Sequence, residues 1–243
     1  MNPTLMIESL PALLQGTWLS LQLLAAALIL GLALAVPIAI ARLEAPLLVR
    51  GAIAFYISFF RGTPLLVQIF LVYYGLSQFD VVRESALWPF IREPWFCAVL
   101  TFALHTAAYT ANILRGAIQA VPAGEIEAAH ACGMSGPMAY RVIILPRAFR
   151  LALPAYANEV VSMLKATSLA STITIMELTG TANTIVARTF APYELFVTAA
   201  AIYLVIAAIL TAALRALEYR LARHQRAPAS TAAVIAGDAH VQA

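Results

Sequence analysis

Three charged side chains, Arg61, Glu159 and Lys165, sit inside long apolar runs of this 243-residue chain. Charge in such a place is costly to hold and usually serves a function. An α-amino acid carries a carboxylate and an ammonium. Arginine suits the first by bidentate hydrogen bonding, and glutamate suits the second. Arg61 lies eleven residues past Arg50, and Glu159 nine past Arg150. At about 1.5 Å per helical residue, they reach roughly 16 and 14 Å into the apolar layer. Arg61 and Glu159 can therefore share a ligand, or pair with each other and only fix the packing. Gly62 and Pro64 loosen the helix beside Arg61, and freed backbone groups next to a cavity recur in transport sites. Gln68, Asn112 and Asn158 can add hydrogen bonds. Lys165, deeper still, reads as a snorkelling or structural cation, and His105 as a satisfied buried histidine.

Other chemistry is missing. A phosphate-binding loop needs a glycine-rich turn ending in Gly-Lys-Ser/Thr. The sole lysine, Lys165, follows Met163-Leu164. There is no paired-histidine metal site, no G-x-S-x-G elbow and no dinucleotide fingerprint. Cys97 and Cys132 are far apart without metal-ligand spacing, and no disulfide is expected. The chain is expected to catalyse nothing by itself and to hold no cofactor.

The elements that must position these residues are membrane spans. The chain is 62% hydrophobic and 11% charged, with mean hydropathy +0.85; a soluble domain carries roughly 25% charge. About 20 apolar residues cross a membrane. The expected class is an all-α, polytopic bundle of about five spans: Gly16–Ala41, Gly51–Leu76 interrupted at Arg61–Pro64, Pro94–Ile118, Leu151–Met176 and Glu194–Leu217. Trp88, Trp95, Tyr73 and Tyr74 read as an outer aromatic belt. Residues 1–15 are expected to form an outer N-terminus without signal-peptide character, residues 16–222 the membrane domain, and residues 223–243 a disordered tail. Arg42, Arg50, Arg115, Arg141, Arg147, Arg150, Arg215, Arg220, Arg223 and Arg226 fall on one side; Arg83, Arg92 and Arg188 fall on the other. The positive-inside rule then places the loop 119–150 and the C-terminus in the cytoplasm and the N-terminus outside. The net charge of +3 reports topology, and no nucleic-acid partner is expected.

That loop carries Glu127-Ala128-Ala129, then Gly133, then Ile143-x-Leu145-Pro146. Glu125 and Glu127 are placed in the first turn of a short helix, where carboxylates suit the dipole. The alanines keep it thin, and Gly133 permits a sharp turn. A second short helix is expected at about 135–142. The spacing EAA-x3-G-x9-I-x-L-P resembles the coupling loop of bacterial ABC importer permeases. Arg61-Gly62-Thr63-Pro64 with Leu65–Gln68, Tyr109–Gly116 and Leu153–Val160 are also similar to polar amino acid permeases of the histidine/glutamine type. The resemblance spans about Gly16 to Arg220 and is strongest to subunits importing basic amino acids and opines. Asn112 departs from it, since the family often has Glu there.

The resemblance implies a type I importer permease fold in a bacterial inner membrane. It implies a translocation pathway for histidine-, arginine-, lysine-, ornithine- or opine-like substrates, with glutamine/glutamate-type amino acids as the alternative. The implied partners are a dimeric ATPase carrying ATP and magnesium, a second permease subunit (identical or not), a periplasmic amino acid binding protein and the lipid membrane. The competing reading of another class is a carrier driven by an ion gradient; the complete loop pattern and the lack of an internal repeat favour the importer.

Overall fold

A computed structural model describes residues 3–222, which are helical with no strand among them. The expected tail 223–243 lies outside the described residues. The helices are α1 (Pro3–Glu44), α2 (Leu47–Gly62), α3 (Leu65–Phe70), α4 (Asp80–Arg83), α5 (Trp88–Ile91), α6 (Pro94–Gln119), α7 (Ala123–Ala131), α8 (Gly136–Ala139), α9 (Leu145–Ala166), α10 (Leu178–Thr189) and α11 (Pro192–Ala222). Helix α1 begins at Pro3, well before the expected span at Gly16. Helices α1, α6 and α11 are each long and apolar enough to cross a membrane. The pair α2 and 65–78, bent by 107°, adds a fourth span if counted as one. Helix α9 occupies the region of the expected Leu151–Met176 span. Arg150, Glu159 and Lys165 lower its hydropathy, and it is held by packing on α6 and α11. Helix α10 has no counterpart among the expected elements.

The contact between α1 and α6 is the most extensive among the described residues. It is built from small side chains: Ala27, Ala35 and Ala39 on α1 and Ala103, Ala107 and Ala111 on α6 are all buried. Water exclusion cannot drive helices together inside hydrocarbon, so close van der Waals approach must do so. Gly31 marks the closest point. A Cβ there would stand 2.1 Å from Thr106 Cγ2 and 3.3 Å from the Ala103 carbonyl.

The break after α2 follows from Pro64, which lacks an N–H, and from the restriction proline places on the residue before it. Thr63 is accordingly extended, at φ −111° and ψ 145°. A kink in hydrocarbon strands carbonyls. Here the buried side chain of Gln68 returns to satisfy them, its Nε2 donating to Phe60 O at 2.9 Å and Thr63 O at 3.0 Å. The chain then proceeds through α3 into a π-helical turn at Leu71–Gly75 and a 3₁₀ turn at Leu76–Gln78.

A second knot lies at the start of α10. Glu177 is fully buried and caps that helix, accepting Gly180 N–H at 2.9 Å. Its other oxygen accepts Ser20 Oγ of α1 at 3.0 Å and the Tyr203 hydroxyl of α11 at 2.7 Å. Ser20 Oγ also receives Leu178 N–H at 3.2 Å. One carboxylate thereby ties three helices. Gly16 lets α1 approach, since a Cβ there would be 3.0 Å from the Glu177 carbonyl. Sequence reasoning passed over Glu177; its only signals are a lone carboxylate after an apolar stretch and a glycine three residues on.

Two stability predictions follow from these contacts. Gly31→Leu should cost about 1–3 kcal/mol by overpacking, whereas Gly51→Leu, where a Cβ meets nothing within 4 Å, should melt like the parent protein in detergent. Tyr203→Phe should cost about 1 kcal/mol, and Glu177→Leu, which strands several buried donors, roughly 3 kcal/mol or more. A Glu177→Leu protein with unchanged thermal unfolding would refute the knot.

Candidate functional site

Helix α6 forms the floor of the polar cluster. His105 and Tyr109, one turn apart, pack with their rings tilted by 31° and centroids 4.8 Å apart. Together with Glu159, Ser162, Met163 and Ala166 of α9 they line a cavity of about 220 Å³. This is below the roughly 300–1,000 Å³ of drug-sized ligand pockets and suits a small molecule. Glu159 is buried, and its Oε1 accepts Thr106 Oγ1 at 3.0 Å. The Arg61 guanidinium lies over the Tyr109 ring, 5.3 Å from its centroid, a cation–π contact worth about 0.5–2 kcal/mol depending on desolvation.

Of the two roles read for Arg61 and Glu159, direct pairing is not what the chain adopts: no ion pair joins them among the described residues. Distance along a helix says nothing of the angle around it. That angle is set by how α2 and α9 seat against α6, and Tyr109 takes the guanidinium. Gln68 is present in the cluster through His105, whose Nδ1 is 3.0 Å from Gln68 Oε1. Asn158 is exposed, one residue and about 100° of helical turn away from Glu159. Asn112 is half-buried, a turn beyond Tyr109 on α6 and not part of the cavity lining. Lys165 is exposed and lines a separate open groove with Tyr203 and Thr179. Thr106, Tyr109 and Ser162 were missed. Hydroxyls at helical spacing opposite a charged residue are a weak signal, legible only once the facing helix is known.

The loop residues form a second site. In α7, Glu125 is in the first turn and Glu127 lies just beyond it. Glu125 pairs with Arg147 at 3.3 Å, so its partner is a side chain of α9. Gly133 has φ +77°. Its N–H donates to His130 O at 2.9 Å, and Met134 N–H donates to Ala129 O at 3.1 Å. This is the paired Schellman closure in which glycine takes the left-handed position. The path continues through α8 into a π-helical turn at Tyr140–Ile144 and enters α9 at Leu145-Pro146. Ala129 is buried and anchors α7, while Glu127, Ala128, Met138 and Val142 are exposed. Ile143 and Leu145 are half-buried, Pro146 is exposed, and the intervening Ile144 supplies the buried anchor. Tyr140 donates to Glu44 at 2.7 Å and so fastens the loop to the end of α1. Burial, together with the accepting Glu44 carboxylate beside it, pushes the Tyr140 hydroxyl from 10.0 up to about 12. A raised pKa means the tie contributes fully below pH 10 and is lost as pH rises through about 12.

No group of three or more potential metal ligands occurs among the described residues. The two sites together are thus a small polar cavity within apolar helices and a rigid hairpin of short helices at one end of the bundle.

Comparison with known proteins agrees with this architecture. The chain is 47% identical over 241 residues to the nopaline transport system permease protein NocM of Agrobacterium fabrum, covering 99% of this chain and 100% of that protein. It is 42% identical over 210 residues to the histidine/lysine/arginine/ornithine transport system permease protein HisM of Salmonella typhimurium, covering 86% and 89%. A crystal structure of an amino acid ABC transporter with histidines superposes with a TM-score of 0.80 at 32% identity, over 90% of this chain and 99% of that one. An inward-facing MetNI methionine ABC transporter shares the fold, with a TM-score of 0.69 at 13% identity. Residues 27–223 match the family of binding-protein-dependent transport system inner membrane components, and the chain belongs to that family of membrane permeases.

Proposed function

We propose that this permease carries basic amino acids or related cationic opines, and that Glu159 reads their positive charge. The observation that carries this reading is a buried carboxylate, on a small cavity, with a hydroxyl as its partner and no cation paired to it among the described residues. A carboxylate taken out of water is costly unless compensated. A cationic substrate supplies the compensation, and its release restores the cost, so the cavity favours a cation over a neutral ligand. Arg61 over Tyr109 stands near enough to the same ring to meet the substrate's carboxylate. The names of the relatives, which include basic amino acid and opine systems, support this choice over a glutamine/glutamate substrate.

On the same reading, the exposed face of residues 123–142 is where a separate ATPase docks. The Schellman turn, the Glu125–Arg147 pair and the Tyr140–Glu44 bond make the hairpin stiff, so a push at the loop moves α1 and α9 together. The ATP and magnesium belong to that partner. A second permease copy or homologue completes the pathway, and a soluble binding protein delivers the amino acid from outside. The arginine distribution supports a cytoplasmic loop and an outer N-terminus.

Glu159→Gln should keep the shape and lose the charge. A hydrogen bond to a charged group is worth about 1.5–3 kcal/mol, so arginine uptake should fall roughly ten- to a hundredfold more than glutamine uptake. Equal loss for both would reduce Glu159 to a packing role. Gly133→Trp should insert normally but uncouple ATP hydrolysis from uptake. A non-glycine residue in the left-handed region costs about 1–2 kcal/mol and distorts the turn. Wild-type transport by this variant would argue against docking there. In proteoliposomes, the chain without an ATPase should take up no arginine under a proton or sodium gradient; uptake would instead establish an ion-driven carrier.

A further inference from the structure

The hydrogen-bond chain running from the α2 break to the cavity fixes the polarity of one cavity side chain. One terminal atom of the Gln68 amide lies 2.9 Å from Phe60 O and 3.0 Å from Thr63 O. Main-chain carbonyls only accept, so that atom is the nitrogen. The other atom is then the oxygen, and it lies 3.0 Å from His105 Nδ1. A carbonyl oxygen cannot donate, so Nδ1 carries the proton. In the neutral ring the lone pair is therefore on Nε2, and no described residue bonds to it.

We propose that Gln68 locks His105 as the Nδ1–H tautomer so that Nε2 serves, beside Glu159, as a second acceptor for the substrate, and that the substrate is a guanidinium-bearing amino acid. The inference rests on reading this cavity as the amino acid site. Two acceptors on facing helices match a planar cation with several N–H donors, which guanidinium presents in a fixed fork and an ammonium does not. The same amide that repairs the broken helix thus sets the specificity of the cavity. The kink and the acceptor pair form together or not at all. His105 is a specificity-determining residue, and Gln68 is a positioning residue acting through it.

The test compares arginine with citrulline, its uncharged isostere, on the assembled transporter in nanodiscs. His105→Asn places an amide nitrogen where Nδ1 was, keeping the bond to Gln68, and leaves nothing at Nε2. The wild type should bind arginine at least about tenfold more tightly than citrulline, and His105→Asn should narrow that preference about tenfold. His105→Gln, which puts an amide near the Nε2 position, should restore part of it. An unchanged ratio in His105→Asn overturns the inference while leaving Glu159 as the charge reader. A wild type that does not distinguish the two ligands overturns both the cavity assignment and this inference. A measurement independent of altering His105 is nitrogen NMR on a chain with His130, His224 and His240 changed to Gln. The remaining ring should show a protonated Nδ1 and an unprotonated Nε2 whose resonance moves when arginine is added. An Nε2–H ring overturns the proposal.

Discussion

In hydrocarbon, each backbone N–H and C=O must find a partner within the protein, because no water is present to replace one that is lost. Unbroken helices meet this demand by themselves. This chain also breaks its helices, and at two of those breaks a buried polar side chain fills the vacancy. Gln68 serves the carbonyls left by Thr63-Pro64. Glu177 serves the first turn of α10. These are the side chains that also reach across to other helices, Gln68 to α6 and Glu177 to α1 and α11. Local repair and tertiary fastening are therefore one act, and the bundle's geometry follows from where its helices are interrupted.

The rest of the scaffold obeys a complementary rule. Apolar area provides little net attraction between helices surrounded by lipid, so backbones must approach closely. Gly16 and Gly31 on α1 permit this at two levels, one against α10 and one against α6. At the loop the chain changes tactics. Ion pairs and hydrogen bonds such as Glu125–Arg147 and Tyr140–Glu44 hold the hairpin, in a region wet enough for charged groups to pair without a large desolvation cost.

The two candidate sites are joined by α9, which starts at the loop and carries Glu159 and Ser162 on the cavity. Along that helix Leu145 and Glu159 stand about 21 Å apart at helical rise. A single helix, with Pro154 inside it, therefore links the loop to the cavity.

The sequence alone determined much. Hydropathy marked the apolar helices α1, α6 and α11, because composition and length are local properties. The fixed spacing from Glu127 to Pro146 marked the loop, and Gly133 marked its left-handed turn, because only glycine adopts that conformation without penalty. Glu159 stood out in the sequence as a carboxylate within an apolar run, and it is buried in the fold. What the sequence left open was everything that depends on angle and on partners distant along the chain. It did not reveal that Arg61 sits over Tyr109, that Asn158 turns outward, or that Glu177 gathers Ser20 and Tyr203 from helices some 157 and 26 residues away. A helical sequence fixes how deep each side chain lies, since rise per residue is constant. Which neighbour it meets is decided only when the helices pack, since rotation about each axis is set by glycines, kinks and side chains on other elements.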